Sequence, residues 1–229
     1  MTNHRTMISI IIPTLNEASA IRQTAEALRH LAHGAEVIIA DGGSADQTAA
    51  IARECGLRVI NAPCGRGSQM NAGARMASGD IFLFLHADTR LPADALKLIA
   101  AAMADHDVCG GNFSLLFDGN TWGAGALTQI YPLLRLGGMC YGDSGFFVRR
   151  SAFETLGGFR EIPLFEDCDL YRRLRRSGRF VQLKEKATTS SRRFEHRFFR
   201  TFALWATLQV LYWLGVDPHW LNRLYRPAR

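Results

Sequence analysis

Cysteine is scarce in this chain, and the five residues present do not form a recognisable scaffold. Their number is odd, and no two of them stand in a Cys-x-x-Cys spacing. Both features argue against a disulfide framework and against a zinc cluster, and they favour a reducing compartment. We therefore expect a cytoplasmic protein whose 229 residues are held together by an apolar core.

Long apolar segments are missing as well. The apolar run 8–12 is too short for the hydrophobic region of a signal peptide, and Pro13 follows it directly. Residues 201–216 carry no charge, but this segment is shorter than the roughly twenty residues that a membrane-spanning helix needs. The sequence therefore predicts neither a secretory leader nor a spanning helix.

The signatures of several common functions are absent too. The chain has no P-loop, no Gly-x-Gly-x-x-Gly turn of a dinucleotide-binding fold and no Gly-x-Ser-x-Gly elbow of a serine hydrolase. Its net charge is +6, yet it has no zinc finger and no aromatic platform on which bases could stack. We expect no nucleic-acid partner.

The sequence instead shows an alternation of strand and helix patterns. Buried strands are predicted over 8–12, whose β-branched run is typical of a strand covered on both faces, and over 36–40, and further strands over 58–60 and 81–85. Helical patterns cover 18–31, 67–77 and 93–103, and Ser44 with Gln47 in capping-box spacing predicts a further helix that starts at residue 44. This alternation predicts a Rossmann-like, mostly parallel α/β sheet flanked by helices.

The pattern changes after residue 108. Strands are predicted over 109–117 and 146–148 and helices over 166–176 and 194–216, whereas 122–138 is glycine-rich and has no clear period. No linker divides the chain, so we expect a single domain over residues 1–229.

Polar residues cluster where three of the predicted strands end. Because ligands of open parallel sheets bind outside the carboxyl ends of the strands, we expect these residues to line one crevice. They are Thr14, Asn16 and Glu17 after the first strand, Asp41, Gly42, Gly43, Ser44 and Asp46 after the second, and His86 and Asp88 after the fourth.

Four segments carry a resemblance to a known family. Residues 10–17 and 38–48 resemble the family 2 glycosyltransferases with the GT-A fold. Residues 65–74 and 85–89 resemble, more narrowly, the radical-SAM/selenodomain-associated transferase 2, or arsenosugar-biosynthesis-type, subfamily. The resemblance implies inverting transfer from a nucleotide-diphosphate sugar with the help of Mn²⁺ or Mg²⁺. It also implies a nucleotide-sugar half at about 7–90, an acceptor half at about 91–193 and a C-terminal helical extension at about 194–229.

The resemblance implies a set of residues that bind the donor. Asp41 would accept a hydrogen bond from the imide N–H of the base, which favours UDP, and Glu17 would help hold the base or ribose. The alternatives are an Asx turn for Asp41 and a first-turn helix charge for Glu17. The other implied donor residues are Pro13, Thr14, Asn16, Gly42, Gly43, Arg66, Asn71, His86, Ala87 and Asp88.

The segment His86-Ala87-Asp88 stands where the family carries its Asp-x-Asp metal motif. Asp88 would bind the metal, since Mg²⁺ and Mn²⁺ prefer oxygen ligands and keep waters and phosphate oxygens in their shell. His86 departs from the motif. If it coordinated directly it would favour Mn²⁺, and otherwise it would donate a hydrogen bond near the phosphate.

The segment that begins at Glu166 resembles the family's Glu-Asp motif at the start of a helix. Inverting transfer needs a base that takes the proton of the acceptor hydroxyl, and the resemblance assigns this role to Asp167, with Glu166 as support. The alternative is that these acids only favour the positive helix N-terminus.

Two further sets of candidates come from the resemblance. Asp143, Ser144 and Gly145 would lie on the acceptor side, where small residues let a sugar approach the backbone and Asp143 binds a hydroxyl. Arg192 and Arg193 would clamp the diphosphate, because guanidinium groups match phosphate, or they are plain surface charges.

The acceptor is left open between a small molecule and a lipid such as a polyprenyl phosphate. Residues 172–200 hold eleven Lys or Arg against two acids. With the uncharged segment 201–216 they could form a peripheral contact at the inner face of the membrane. That segment could equally be a core helix or a homodimer contact. A sugar-nucleotide binding protein without turnover is a third hypothesis, against which the Glu-Asp motif argues.

Overall fold

The computed structural model describes residues 6–31, 34–119, 122–136, 142–190 and 198–225. Seven strands form one mixed sheet in the order β3-β2-β1-β4-β6-β5-β7. The strands are β1 (Ile8–Thr14), β2 (Glu36–Asp41), β3 (Arg58–Asn61), β4 (Ile81–Phe84), β5 (Val108–Phe117), β6 (Phe146–Arg149) and β7 (Arg179–Thr189).

Helices cover both faces of the sheet. They are α1 (Ala18–Leu31), α2 (Thr48–Glu54), α3 (Arg66–Met76), α4 (Ala95–Met103), α5 (Trp122–Leu136), α6 (Arg150–Thr155), α7 (Glu166–Ser177), α8 (Phe198–Trp213) and α9 (Pro218–Leu224), with a 3₁₀ turn at Gly142–Ser144. Alternate residues of β1 point to opposite faces, so Ile10 packs in the core beneath α1, α2, α4 and α5, and Ile11 in the core beneath α3, α6 and α7.

The direction of one strand determines where the site is built. Strands β3, β2, β1 and β4 are parallel, whereas β6 runs antiparallel to both β4 and β5. Phe146, at the start of β6, therefore pairs with Phe84, at the end of β4. The turn before β6 consequently lies beside the residues that follow β4.

The helix expected to start at Ser44 begins later. Helix α2 starts at Thr48, and its N-cap residue Gln47 makes no side-chain capping bond. The Ser44 hydroxyl donates to Asp41 Oδ1 at 2.5 Å and accepts from the backbone N–H of Asn16 at 2.9 Å. The capping-box prediction was wrong because the serine side chain is used by the turn after β2.

Three elements differ from the sequence-based expectation in the second half. Residues 122–136, which lack a period, form α5 with Pro132 inside it. The basic segment after α7 contains the edge strand β7, which pairs in parallel with β5. The helix expected over 194–216 is present as α8, and a further helix that the sequence did not predict, α9, follows Gly215, which has a φ of 87°.

Candidate active site

A buried glutamine joins the carboxyl ends of the two central strands. Gln69 of α3 donates through Nε2 to the carbonyl oxygens of Thr14 (2.8 Å) and Ala40 (2.9 Å). A Cβ on Gly42 would lie 2.9 Å from the Gln69 side chain, so residue 42 must be a glycine for this contact to form. Gln69 was missed from sequence, since a polar residue within a helix pattern carries no sign of burial.

Asp41 lies at the end of β2 and is only 5% exposed. Its carboxylate accepts from the backbone N–H groups of Gly43 (3.1 Å) and Ser44 (3.0 Å) and from the Ser44 hydroxyl (2.5 Å). The Asx turn weighed from the sequence is thus present. A carboxylate has about four acceptor positions, and the fourth meets only a long contact of 3.4 Å from the Thr14 hydroxyl.

The loops that follow β1 and β2 are joined by hydrogen bonds. Asn16 has a φ of 57°, and its side-chain oxygen accepts from Ala45 N at 2.9 Å. The backbone N–H of Glu17 donates to Thr48 Oγ1 at 2.7 Å, and that of Ala18 donates to Asp46 at 3.1 Å. These contacts hold the crevice between β1 and β2 in one shape before any ligand binds.

His86 is paired with the turn before β6. Its Nδ1 lies 2.5 Å from Asp143 Oδ1, and a Cβ on Gly142 would lie 2.7 Å from its Nε2. Burial lowers the pKa of His86, but the charge of Asp143 and the hydrogen bond to it leave the pKa above its ordinary value. With Nδ1 engaged by Asp143, Nε2 is the nitrogen left for a ligand, either as a hydrogen-bond donor when the ring is protonated or as a metal ligand when it is not.

Asp88 is exposed, and its charge also raises the pKa of His86. It accepts no hydrogen bond from the residues that the structure describes. Within those residues, no three His, Cys, Asp or Glu side chains converge on one point. A cation held by one carboxylate together with substrate phosphates and waters, as Mg²⁺ and Mn²⁺ often are, fits this arrangement.

Glu166 is almost fully buried and is paired with Arg66. Arg66 Nε lies 2.8 Å from Glu166 Oε1, while Oε2 is buried with no hydrogen-bond partner among the described residues. Burial raises the pKa of the Glu166 carboxyl above its usual range, although Arg66 acts in the opposite direction. The negative charges of Glu166, Asp167 and Asp143 raise the pKa of Arg66 in turn.

Among the described residues, Asp167 is held by backbone groups and forms no ion pair. Its Oδ2 accepts from the N–H of Gly142 at 2.6 Å, and its Oδ1 accepts from the N–H of Cys168 at 2.7 Å. His86 and Asp167 both face Gly142, since a Cβ there would lie 2.7 Å from His86 Nε2 and 3.6 Å from Asp167 Oδ2. The structure thus brings the histidine after β4, the turn before β6 and the start of α7 to one point.

The acceptor-side candidates have different roles in the structure. Ser144 is buried and accepts from Asn112 of β5 at 2.7 Å, so its hydroxyl points into the sheet. Gly145 has a φ of 64°, and a Cβ there would lie 2.7 Å from Leu91, so this position favours glycine on both grounds. Of the three, Asp143 alone presents a charged side chain to the site.

One donor-side candidate, Asn71, lies away from this cluster. The side chain of Asn71 donates to the carbonyl of Phe159 (2.8 Å) and accepts from its N–H (2.9 Å), which anchors the segment that leads to α7. Its contribution to the site is therefore indirect. Arg192 and Arg193 lie outside the described residues.

The sequence profile of glycosyl transferase family 2 matches residues 9–157. This match spans the crevice between β1 and β2, the segment after β4 and the turn before β6. The two carboxylates at the start of α7 lie beyond it.

Curated relatives match parts of the chain. A PGL/p-HBAD biosynthesis glycosyltransferase of Mycobacterium bovis is 34% identical over 165 residues, which covers 67% of this chain and 63% of that protein. An undecaprenyl-phosphate 4-deoxy-4-formamido-L-arabinose transferase of Pseudomonas savastanoi is 31% identical over 116 residues, with 45% and 34% covered. The chain spans less than two thirds of the length of these relatives.

Solved structures show the same fold. A mannosyltransferase from Pyrobaculum calidifontis, in complex with GDP-Man and Mn²⁺, matches with a TM-score of 0.73 at 18% identity, covering 99% of this chain and 67% of that one. Staphylococcus aureus TarS in complex with UDP-GlcNAc matches with a TM-score of 0.66 at 20% identity, covering 83% and 60%. The fold is the GT-A fold expected from the sequence.

Proposed function

This chain belongs to glycosyl transferase family 2 and is therefore a transferase enzyme, and from that premise we propose that it is an inverting glycosyltransferase. The donor is a nucleotide-diphosphate sugar, UDP-linked, and the acceptor is a hydroxyl group. The observation that carries the proposal is the cluster around Gly142, where His86 from the donor side and Asp167 from α7 lie within reach of the same backbone position. A site that only bound the donor would not need the carboxylate of Asp167 at that position.

The base of the donor would lie in the crevice between β1 and β2. Asp41 has one acceptor position that is met only by the long contact from Thr14, and a base N–H can take that position. Uracil offers one such N–H on its imide. Gly43 leaves space for the base, since nothing lies within 4 Å of a Cβ placed there.

The diphosphate would lie over the segment that follows β4. His86, paired with Asp143 through Nδ1, would donate from Nε2 to a phosphate oxygen when its ring is protonated. Asp88 would hold the divalent cation, Mn²⁺ or Mg²⁺, which when bound neutralises the departing diphosphate. Arg192 and Arg193 are further candidates for binding the negatively charged diphosphate.

The proton of the acceptor hydroxyl would pass to Asp167. The N–H groups of Gly142 and Cys168 fix the plane of its carboxylate, and the remaining lone pairs are free to accept a proton. Glu166 keeps Arg66 in place through their ion pair, and its negative charge balances the positive charge of Arg66. Asp143 is the next candidate for the base.

We propose two classes of acceptor, a small molecule in first place and a lipid in second place. The narrower resemblance, to the arsenosugar-biosynthesis-type subfamily, implies a small molecule. A lipid acceptor at a membrane surface is second, and one observation favours it. Helix α8 and the turn after it carry an exposed apolar face, named here the outer stripe, which consists of Phe199, Ala203 and Val210 of the helix and Leu214 of the turn. No helix within the described ranges is long and apolar enough to cross a membrane, so such contact would be peripheral.

Purified protein tests the proposed reaction directly. UDP-glucose, UDP-N-acetylglucosamine, UDP-galactose and GDP-mannose are incubated with the full chain and Mn²⁺, and released nucleoside diphosphate is measured with and without added acceptors. We expect release with a UDP-linked donor that increases with an acceptor and gives a product of inverted anomeric configuration. Donor binding with no release under any condition would instead support a binding protein.

A further inference from the structure

The residue directly before the Glu-Asp pair has an unusual backbone. Phe165 is the N-cap of α7 and has a φ of 66° and a ψ of 22°, with no side-chain capping bond. This left-handed region is disfavoured for a residue with a bulky side chain, and such a conformation persists only where its surroundings enforce it. Glycine would adopt it freely, yet the chain has phenylalanine.

The surroundings that enforce this turn come from the C-terminal helices. The ring of Tyr212 in α8 stacks on the ring of Phe165, with centroids 4.6 Å apart and planes 18° apart. The guanidinium of Arg172 lies 4.9 Å from the centre of the Tyr212 ring. Leu208 of α8 and Leu221 of α9 are fully buried against Leu164, Phe165 and Cys168.

The first turn of α7 in turn sets both carboxylates of the pair. Glu166 Oε1 is placed 2.8 Å from Arg66, and Asp167 Oδ2 is placed 2.6 Å from the N–H of Gly142. Both contacts depend on the backbone conformation of residue 165, because it sets the direction in which α7 begins. A displacement of about 1 Å at reacting groups can cost roughly 100-fold in rate.

We propose that α8 and α9 act as an aromatic clamp on the catalytic turn, with Tyr212 as a positioning residue that holds Phe165 so that Asp167 faces the acceptor. The effect of Tyr212 on catalysis rests on the proposed function. Its effect on the stability of the turn 164–168 does not depend on that function. The C-terminal extension is thereby part of the active site, although none of its described residues touches the reacting atoms.

Three variants separate the clamp from general packing. Tyr212→Ala removes the stacked ring, Tyr212→Phe keeps the ring and removes the hydroxyl, and Trp213→Ala removes a neighbouring aromatic ring of α8 that is 40% exposed. Amide hydrogen exchange of the segment 164–170 is measured on each full-length protein without any ligand. We expect at least tenfold faster exchange in Tyr212→Ala and wild-type exchange in the other two. Unchanged exchange in Tyr212→Ala would overturn the clamp.

Kinetics on the same variants tests positioning. With the donor that wild type turns over, kcat of Tyr212→Ala should fall at least tenfold while KM for the donor stays within about twofold, because Asp41 and Asp88 are untouched. Tyr212→Phe, which keeps the stacked ring, should have the kcat of wild type. Loss confined to KM, or equal loss in Tyr212→Phe, would contradict a positioning role. If wild type has no activity, the proposed reaction fails, while the exchange experiment still decides the clamp.

A second pair of variants covers the case in which Tyr212→Ala does not fold. Phe165→Ala removes the ring and leaves a residue that disfavours the left-handed region, whereas Phe165→Gly removes the ring and accepts that region. We expect slower exchange over 164–170 and a higher kcat in Phe165→Gly than in Phe165→Ala. The reverse order would show that the backbone conformation of residue 165 does not position the pair.

Discussion

Glu166 and Asp167 are adjacent carboxylates with different surroundings. Glu166 is buried against Arg66, and its second oxygen has no hydrogen-bond partner among the described residues. Asp167 accepts two backbone N–H bonds at the edge of the crevice. When neighbouring acids are placed in such different environments, they are suited to different roles, and this supports Asp167 as the base and Glu166 as its support.

Substitution of Asp167 by Asn tests that division. Asn keeps the shape but cannot accept the acceptor proton, and a positioned base typically contributes about 10²–10⁴-fold. We therefore expect transfer to fall by about that factor, while calorimetry shows near wild-type UDP binding. Because Asn has one oxygen for the N–H groups of Gly142 and Cys168, the melting temperature also falls, by about the loss of one buried hydrogen bond. Glu166→Gln should lose less transfer. A stable Asp167→Asn variant with near wild-type transfer would move the base elsewhere, first to Asp143.

Asp88 and His86 are expected to differ in their dependence on metal. Asp88→Asn should weaken Mn²⁺-dependent UDP binding about tenfold or more, because a charged oxygen ligand is lost. His86→Ala should have a smaller effect, and that effect should persist without metal, since the pair with Asp143 makes His86 a hydrogen-bond donor. Calorimetry with and without Mn²⁺ measures both. Wild-type metal dependence in Asp88→Asn would disprove the metal site.

The His86–Asp143 pair should make stability depend on pH. Burial lowers the pKa of His86, but Asp143 leaves it raised, so protonated His86 stabilises the fold below its unfolded pKa of about 6.5, and this stability is lost as pH rises through the folded pKa. Without the Asp143 carboxylate, burial and the charge of Arg66 lower the pKa of His86 and the charge of Asp88 raises it, so protonation loses its main support. The gap in melting temperature between wild type and Asp143→Asn should therefore be larger at pH 6 than at pH 9. An equal gap at both values would contradict the pairing.

At the scale of elements, patterns that repeat locally could be predicted and long-range pairing could not. The β-branched run 8–12 predicted β1 correctly, because a strand whose residues are all buried is marked by its own composition. The strand β7 was missed because it is an edge strand, and its charged residues 184–186 face solvent. Helix α5 was missed because Pro132 and several glycines hide a helical period.

The same distinction applies to the site. The polar residues after β1, β2 and β4 could be placed together, since parallel strands end at one edge of the sheet. The buried partners Gln69 and Asn112 carry no local signal, because the side-chain hydrogen bonds described above join them to residues 29 or more positions away. The contact between Phe165 and Tyr212 depends on how the C-terminal helices fold back, which no motif records.

The outer stripe of α8 gives a prediction for the membrane hypothesis. Phe199 and Leu214 are each 75% exposed. Full burial of such a side chain contributes about 1.5–3 kcal/mol, so even partial insertion of both makes their loss cost roughly tenfold or more in binding. The double variant Phe199→Ser with Leu214→Ser should therefore bind vesicles of phosphatidylglycerol and phosphatidylcholine at least tenfold more weakly than wild type in a sedimentation assay.

A matched control is available on another surface. Met76, at the end of α3, is 49% exposed and lies outside the outer stripe. Met76→Ser should bind vesicles like wild type. If wild type does not bind vesicles, or if the double variant binds equally well, peripheral contact through α8 is wrong. A change in sedimentation mass caused by the double variant without lipid would identify the stripe as a contact between two copies.

At the scale of the whole molecule, the site depends on nearly the full length of the described chain. Asp41 comes from the second strand, His86 from the fourth, and Asp167 from a helix whose first turn is held by α8 and α9. Donor binding should therefore stabilise the fold as a whole, because it joins loops that are far apart in sequence. A ligand that binds only the folded state raises stability by mass action.

UDP with Mn²⁺ is expected to raise the melting temperature more than GDP, CDP or ADP. At a concentration of about 100 times Kd the gain is about 2.7 kcal/mol, which for a chain of this size corresponds to a rise of about 5–11 °C. The physical reason for the preference over CDP and ADP is the acceptor position on Asp41, which the imide N–H of uracil can fill. Guanine also has a ring N–H, so the shift with GDP measures how far Asp41 alone selects the base. Asp41→Asn should reduce the preference by replacing part of an acceptor-only group with a donor. It also alters the turn at Gly43 and Ser44, so its melting temperature without ligand is the reference for its shift. A larger shift with ADP than with UDP would show that Asp41 does not select the base.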